Sequence, residues 1–183
     1  YKIDVARLMF SKGNLYERAR VARLVQRDET VVDMFAGIGY FSLSIAKAAK
    51  KVIAIEKDKI AYEYLLSNIA LNKALNVIAI NADCREVASM SRYKAIADRV
   101  IMGYIFNSFS FLPSALAFLK RTGIIHFHSL CKENELWSSI SSRLIRALGK
   151  VKAWIVNKRV VKSYAPHVYH VVFDIKVEKE KAN

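Results

Sequence analysis

Between Thr30 and the middle of the chain's second half, one pattern recurs five times: a short run rich in Val and Ile, followed by a segment of helical period. The runs lie at 30–35, 51–55, 76–81, 98–102 and 123–128. The first four are followed by helical periods at 39–49, 59–71, 85–90 and 110–120. Parallel strands need a crossover between neighbours and, covered on both faces, read as near-continuous apolar runs. The alternation therefore predicts an α/β chain with a mostly parallel sheet, helices on both faces and right-handed crossovers. After the fifth run comes a helix at 133–148, then two long strand-like runs at 150–161 and 168–177. Ser163-Tyr164-Ala165-Pro166 joins these two runs, which reads as a terminal antiparallel hairpin. Ahead of the first run, 15–25 reads as a basic amphipathic helix capped by Asn14. The expected organisation is an N-terminal strand and helix over 1–28, the sheet domain over 29–178, and a frayed polar tail over 179–183.

A chain of 183 residues suits one such domain, and no apolar run approaches the ~18 residues of a membrane span. No membrane association is expected. Two cysteines, Cys84 and Cys131, form no CxxC and point to a reducing, cytoplasmic setting. The histidines pair as His126-x-His128 and His167-x-x-His170, without cysteine or carboxylate partners at ligand spacing. No metal site is expected; they read as ordinary strand histidines. The charge is more informative. Thirty Lys and Arg against sixteen Asp and Glu give +14, and the stretch from Trp137 to Phe173 holds no acid. Arg143, Arg146, Lys150, Lys152, Lys158, Arg159 and Lys162 fall within it, a stripe suited to phosphate contacts or, more plainly, a solvated basic face.

The strongest local signal is Asp33-Met34-Phe35-Ala36-Gly37-Ile38-Gly39, which closes the first strand and opens a helix. Glycines there let the backbone approach a ligand without a Cβ in the way. A dinucleotide fingerprint would place a third Gly or Ala where Ser42 stands, and would present the helix start to a pyrophosphate. Asp33 ahead of the glycines favours a ligand that is positive there, such as the ammonium of a methionine moiety. Glu56 ends the second strand, where a carboxylate can accept both ribose hydroxyls. Asp83 follows the third, where one can accept from an adenine amino group. Either alone is as readily a helix cap. In series at three successive strand ends, they point to S-adenosylmethionine, held along the carboxyl edge of the sheet by Asp33, Phe35, Ala36, Gly37, Gly39, Glu56, Lys57, Asp83 and Cys84. A parallel sheet finished by an antiparallel hairpin matches the Rossmann-like seven-stranded methyltransferase fold.

The fourth strand ends Met102-Gly103-Tyr104. Many base methyltransferases place an Asn-Pro-Pro-Tyr or Asn-Leu-Pro there, whose amide holds a base nitrogen; Gly103 supplies no such group. Together with Phe10-Ser11-Lys12-Gly13-Asn14, Glu17-Arg18, Ile53 to Lys57 and Val161-Lys162-Ser163-Tyr164-Ala165-Pro166-His167, these residues resemble a group of tRNA-modifying enzymes. That group holds guanine-N1 methyltransferases acting 3′ to the anticodon and the aminocarboxypropyltransferases of wybutosine synthesis. The resemblance runs from Tyr1 to about Val177. The sequence Gly123-Ile124-Ile125-His126-Phe127-His128 and the glycine at 103 look like the aminocarboxypropyl branch.

The resemblance implies a cytoplasmic, monomeric S-adenosylmethionine-dependent transferase acting on tRNA(Phe), with guanine-N1 methylation as the alternative. It also implies N-terminal tRNA-recognition modules beyond this sequence. Arg18, with Ser11, is expected to bind the substrate or the methionine carboxylate. Tyr104, with Phe35, Tyr40 and more weakly Tyr16, is a candidate for stacking on a base, although core packing suits Phe35 better. Lys162 and Tyr164 could line the entrance. No general base is identifiable from the sequence.

Overall fold

The computed structural model describes residues 1–4 and 14–180. The expected N-terminal strand falls largely on residues outside this range, and so does Ser11. The elements run α1 (Leu15–Leu24), β1 (Thr30–Asp33), α2 (Tyr40–Ala46), β2 (Lys51–Glu56), α3 (Lys59–Leu71), β3 (Val77–Asn81), α4 (Cys84–Ser89), β4 (Ala97–Met102), α5 (Leu112–Phe118), β5 (Leu119–Lys132), α6 (Ser138–Leu148), β6 (Lys152–Ala165) and β7 (Val168–Glu178). The described strands form one seven-stranded sheet in the order β3-β2-β1-β4-β5-β7-β6. β1 to β5 pair in parallel, and β7 pairs antiparallel with both β5 and β6. The order reverses between β1 and β4. An open α/β sheet has its ligand crevice at such a reversal, outside the carboxyl ends of the strands.

Alternate residues of the central strands β1, β2 and β4 feed two cores. Val32 and Met34 of the first strand and its extension pack with Ile53, Val100, Met102, Phe118, Phe127 and Phe173, on the side closed by α4, α5 and α6. Val31 faces the opposite way, with Val52, Ala54, Phe41 and Leu65, on the side closed by α1, α2 and α3. Phe118, Phe127 and Phe173 are fully buried; each contributes about 1.5–3 kcal/mol by leaving water. Asp58 caps α3, accepting from the Ala61 N–H at 2.7 Å, and Asp83 caps α4, accepting from the Arg85 N–H at 3.0 Å. Asn14 takes the N-cap position of α1, but its side chain makes no capping bond.

Several boundaries differ from the expected ones; β6, for one, runs on through Ala165, into the expected link. β5 begins at Leu119, where a helix was expected to run through Lys120; Leu119 pairs with Ala97 of β4, and Thr122 to Lys132 pair along β7. α6 starts at Ser138, preceded by a 3-10 turn over Glu133–Glu135. Lys179, expected in a frayed tail, is tied down: its amide donates to Arg121 O, and its ammonium to the carbonyls of Leu116 and Leu119. Among the described residues, no helix is long and apolar enough to cross a membrane.

Candidate functional site

The loop between β1 and α2 lies over the sheet reversal. Gly37 and Gly39 hold φ of +56° and +99°, the left-handed region that costs a side chain most. A Cβ on Gly39 would also come within 3.0 Å of Leu43 and Leu65, whereas Gly37 faces open space. The loop is pinned from below. Ala36 N donates to Ile55 O at 2.9 Å, and Asn68 Nδ2 to Ile38 O at 3.1 Å. Gly37 N donates to Glu56 Oε2 at 2.7 Å, while Asp58 N donates to Glu56 Oε1 at 2.8 Å. A carboxylate offers about four lone pairs. One remains on each oxygen of Glu56, which lines the cavity, and two such acceptors suit a vicinal diol.

The three acids expected together do not play equal parts. Asp33 is fully buried and stands behind the cavity wall, accepting from Ser42 Oγ at 2.7 Å and from Phe35 N at 3.4 Å. Burial pushes its carboxyl up to about 6. Asp83 lines the cavity but is already engaged. Its oxygens accept from the Arg85 amide, from Arg85 Nε at 2.9 Å and Nη2 at 2.7 Å, and from Lys57 Nζ at 3.2 Å. The Arg85 guanidinium holds it well below the usual carboxylate range. Both cations are largely exposed at their tips, so either can swing away to free an acceptor. The Cys84 thiol, buried beside Asp83, is pushed up to about 12 and stays protonated.

Two chambers meet at this loop. The larger, about 690 Å³, is lined by Met34, Phe35, Gly37, Glu56, Lys57, Asp83, Cys84, Arg85, Gly103, Tyr104 and Phe111, among others. The smaller, about 340 Å³, shares Phe35, Gly37, Gly103 and Tyr104, and adds Arg18, Ala36, Tyr40, Lys162, Tyr164 and His170. Phe35 and Tyr104 form the partition, stacked at 5.2 Å between centroids and 29° between planes, with Phe111 edge-on to Phe35 at 4.9 Å. Phe35 packs against the core and is also a wall of both chambers. Arg18 is buried with its guanidinium 3.8 Å over the Tyr40 ring. Its neighbour Glu17 instead points away, into an ion pair with Arg20 at 2.7 Å.

Gly39 and Tyr16 line neither chamber; Tyr16 is exposed, and the Arg159 guanidinium lies 4.4 Å from its ring. Phe111, Arg85 and His170 were not anticipated. Phe111 carries no sequence signal, but His170 shares the period-2 face of β7 with Asp174, a lone acid in an apolar run. The histidines of β5 sit on the same side. His126 Nδ1 lies 2.5 Å from Asp174 Oδ1, and His128 Nδ1 lies 2.9 Å from His170 Nε2.

A sequence profile of the TRM5/TYW2 methyltransferase domain matches residues 1–156. The chain is 45% identical over 183 residues to a tRNA(Phe) (4-demethylwyosine(37)-C(7)) aminocarboxypropyltransferase of Methanocaldococcus jannaschii, covering 98% of this chain and 72% of that protein. The crystal structure of M. jannaschii TYW2 in complex with AdoMet superposes with a TM-score of 0.92 at 46% identity, over 98% of this chain and 82% of that one. Trm5b from Pyrococcus abyssi gives 0.88 at 36% identity, over 97% and 52%.

Proposed function

This chain belongs to the TRM5/TYW2 methyltransferase domain family, and from that premise we propose that it transfers the 3-amino-3-carboxypropyl group of S-adenosylmethionine to a 4-demethylwyosine base in tRNA(Phe). The observation that carries this reading is the pair of chambers joined at Gly37 and Gly103. The larger suits an adenosine. Glu56 offers one free lone pair per oxygen to the ribose hydroxyls, Asp83 an acceptor for the adenine amino group, and Phe111 and Phe35 flanking rings. Gly37, open above a positive-φ backbone, leaves room for the chain beyond the ribose. The smaller chamber holds two cations, Arg18 and Lys162, which suit a carboxylate drawn away from the adenosine.

When bound, the sulfonium activates three carbons alike, and the one held in line with the nucleophile is the one transferred. Arg18 and Lys162, by drawing the carboxylate into the smaller chamber, would stretch the methionine chain across the partition and present its γ-carbon there. Gly103 offers no amide to a guanine nitrogen, which a carbon nucleophile does not need. Tyr104 supplies a face for the acceptor base, and Tyr164 a second ring at the entrance. The tRNA body is supported by charge. The acid-free stretch forms α6 and the edge strand β6, placing Lys152, Lys158, Arg159 and Lys162 along one border of the sheet. Ser11 remains a proposed contact of the methionine carboxylate.

The second reading, guanine-N1 methylation, is favoured by the likeness to Trm5b. The nucleoside left behind separates the two. Incubation of the protein with S-adenosylmethionine and precursor tRNA is expected to yield methylthioadenosine. Accumulation of S-adenosylhomocysteine alone would mean methyl transfer and would remove the aminocarboxypropyl reading.

A further inference from the structure

His128 and His170 form a buried imidazole pair, 0% and 1% exposed, that nothing in the fold requires. Their rings lie 5.1 Å apart, with His128 Nδ1 and His170 Nε2 at 2.9 Å. The outer nitrogens, His128 Nε2 and His170 Nδ1, are buried and have no hydrogen-bond partner among the described residues. A neutral imidazole carries one N–H. Whichever ring donates across the 2.9 Å bond, one outer nitrogen is then a bare acceptor and the other an unused donor. Two orphaned polar atoms in a dry interior are costly unless something else meets them.

His170 also lines the smaller chamber, beside Gly103, Tyr104 and Lys162. The carboxylates of Glu56, Asp58 and Asp83 and the thiol of Cys84 line the larger chamber; none of them lines the smaller one, where His170 stands. Around the imidazole pair stand Lys162 on β6, His126 on β5, Asp174 on β7, and Arg18 and Arg20 on α1. Burial, and then the Lys162 charge, bring His170 down to about 4, so its ring is neutral and able to accept at neutral pH.

We propose that His170 takes the proton released by the acceptor base during group transfer, and that His128 is the second stage of a two-imidazole relay behind it. This rests on the aminocarboxypropyl reading above. A π pair of the acceptor carbon forms the bond to the γ-carbon, and the C–S bond breaks with its electrons left on sulfur, giving neutral methylthioadenosine. The acceptor ring is now a cation still bearing hydrogen at that carbon. His170 Nδ1, sealed under the chamber wall until the ring turns toward the base, accepts this proton, the C–H electron pair restores the aromatic ring, and the proton on His170 Nε2 can pass to His128 Nδ1. A weak base suffices because a cationic ring is a strong acid. The positive charge of the sulfonium ends on the imidazole pair.

The test uses the protein with precursor tRNA whose acceptor carbon carries deuterium. His170→Gln keeps a donor near the Nε2 position but has no base at Nδ1. In the wild type, loss of this proton follows the slow step and shows no primary isotope effect. In His170→Gln the single-turnover rate at which deuterium leaves the acceptor carbon falls by roughly 10²–10⁴-fold, the range of general-base contributions, and a primary isotope effect appears on that step. S-Adenosylmethionine affinity stays at the wild-type value. A merely structural histidine would lower thermal stability without exposing an isotope effect. His128→Asn, which retains an atom near Nδ1, shows a smaller fall with the same isotope signature. It decides the matter should His170→Gln fail to fold. Deuterium lost from the acceptor carbon as fast in both variants as in the wild type, without an isotope effect, overturns the relay alone. S-Adenosylhomocysteine as the wild-type product overturns the relay and the reading beneath it together.

Discussion

Replacing Asp33 with Asn should make the protein more stable at neutral pH while weakening its hold on S-adenosylmethionine. Asp33 is fully buried at the end of β1, where it accepts from the Ser42 hydroxyl and the Phe35 amide, and among the described residues no cation pairs with it. Burial raises its carboxyl from 3.8 to about 6, which corresponds to about 3 kcal/mol of preference for the neutral form. A group raised in this way contributes stability that is whole below its unfolded value near 3.8 and is lost as pH climbs through about 6. Asn is neutral throughout and keeps an oxygen for both donors. Urea unfolding of the two proteins from pH 4 to pH 8 should therefore give curves that diverge. The variant should gain up to about 3 kcal/mol by pH 7 and nothing further above it. A difference independent of pH would refute the claim that a charged carboxylate is being held there. The same variant is expected to bind S-adenosylmethionine more weakly by calorimetry, because a buried anion behind the glycine loop attracts a cationic ligand through a medium that screens poorly. Unchanged affinity would reduce Asp33 to a strut for the loop.

Three further outcomes are expected. Glu56→Gln removes a charged acceptor and turns an amide NH2 toward Gly37 N or Asp58 N; losing about 1.5–3 kcal/mol should weaken S-adenosylmethionine roughly 10–150-fold, and an unaltered Kd would remove Glu56 from the ribose. Arg18→Gln should weaken S-adenosylmethionine but not methylthioadenosine, which lacks the carboxylate; equal losses for both ligands would mean that Arg18 holds something else. Gly123→Ala would bring a Cβ within 2.5 Å of Leu119 Cδ2 and 2.7 Å of the Asp98 carbonyl, so thermal unfolding should show a loss of about 1–3 kcal/mol, and a melt like the wild type's would contradict the tight β4–β5 packing.

The strand and helix order was readable because Val and Ile runs flanked by helical periods admit few other arrangements. Glu56 was readable because a strand end fixes where a side chain points. The limits were equally physical. Nothing in Asp83-Cys84-Arg85 tells whether the acid faces a ligand or its neighbour's guanidinium; the structure has it doing the latter while lining the cavity. The start of β5 was hidden because Leu119-Lys120-Arg121-Thr122 carries no strand signature, and its partners, Ala97 of β4 for Leu119 and Glu178 of β7 for Thr122, lie elsewhere in the chain. The buried chain linking Glu29, Arg99, His126, Asp174, Arg20 and Glu17 joins positions up to 154 residues apart, which no local pattern encodes. Its one legible trace was Asp174 amid Val171, Val172, Phe173 and Ile175.

A crystal structure of the protein with S-adenosylmethionine probes the account most directly, because everything depends on which carbon enters the smaller chamber. The expected map has both ribose hydroxyls on Glu56, the carboxylate between Arg18 and Lys162, and the γ-carbon turned toward Gly103 and His170. A methyl carbon occupying that place, with the methionine chain folded elsewhere, would contradict it.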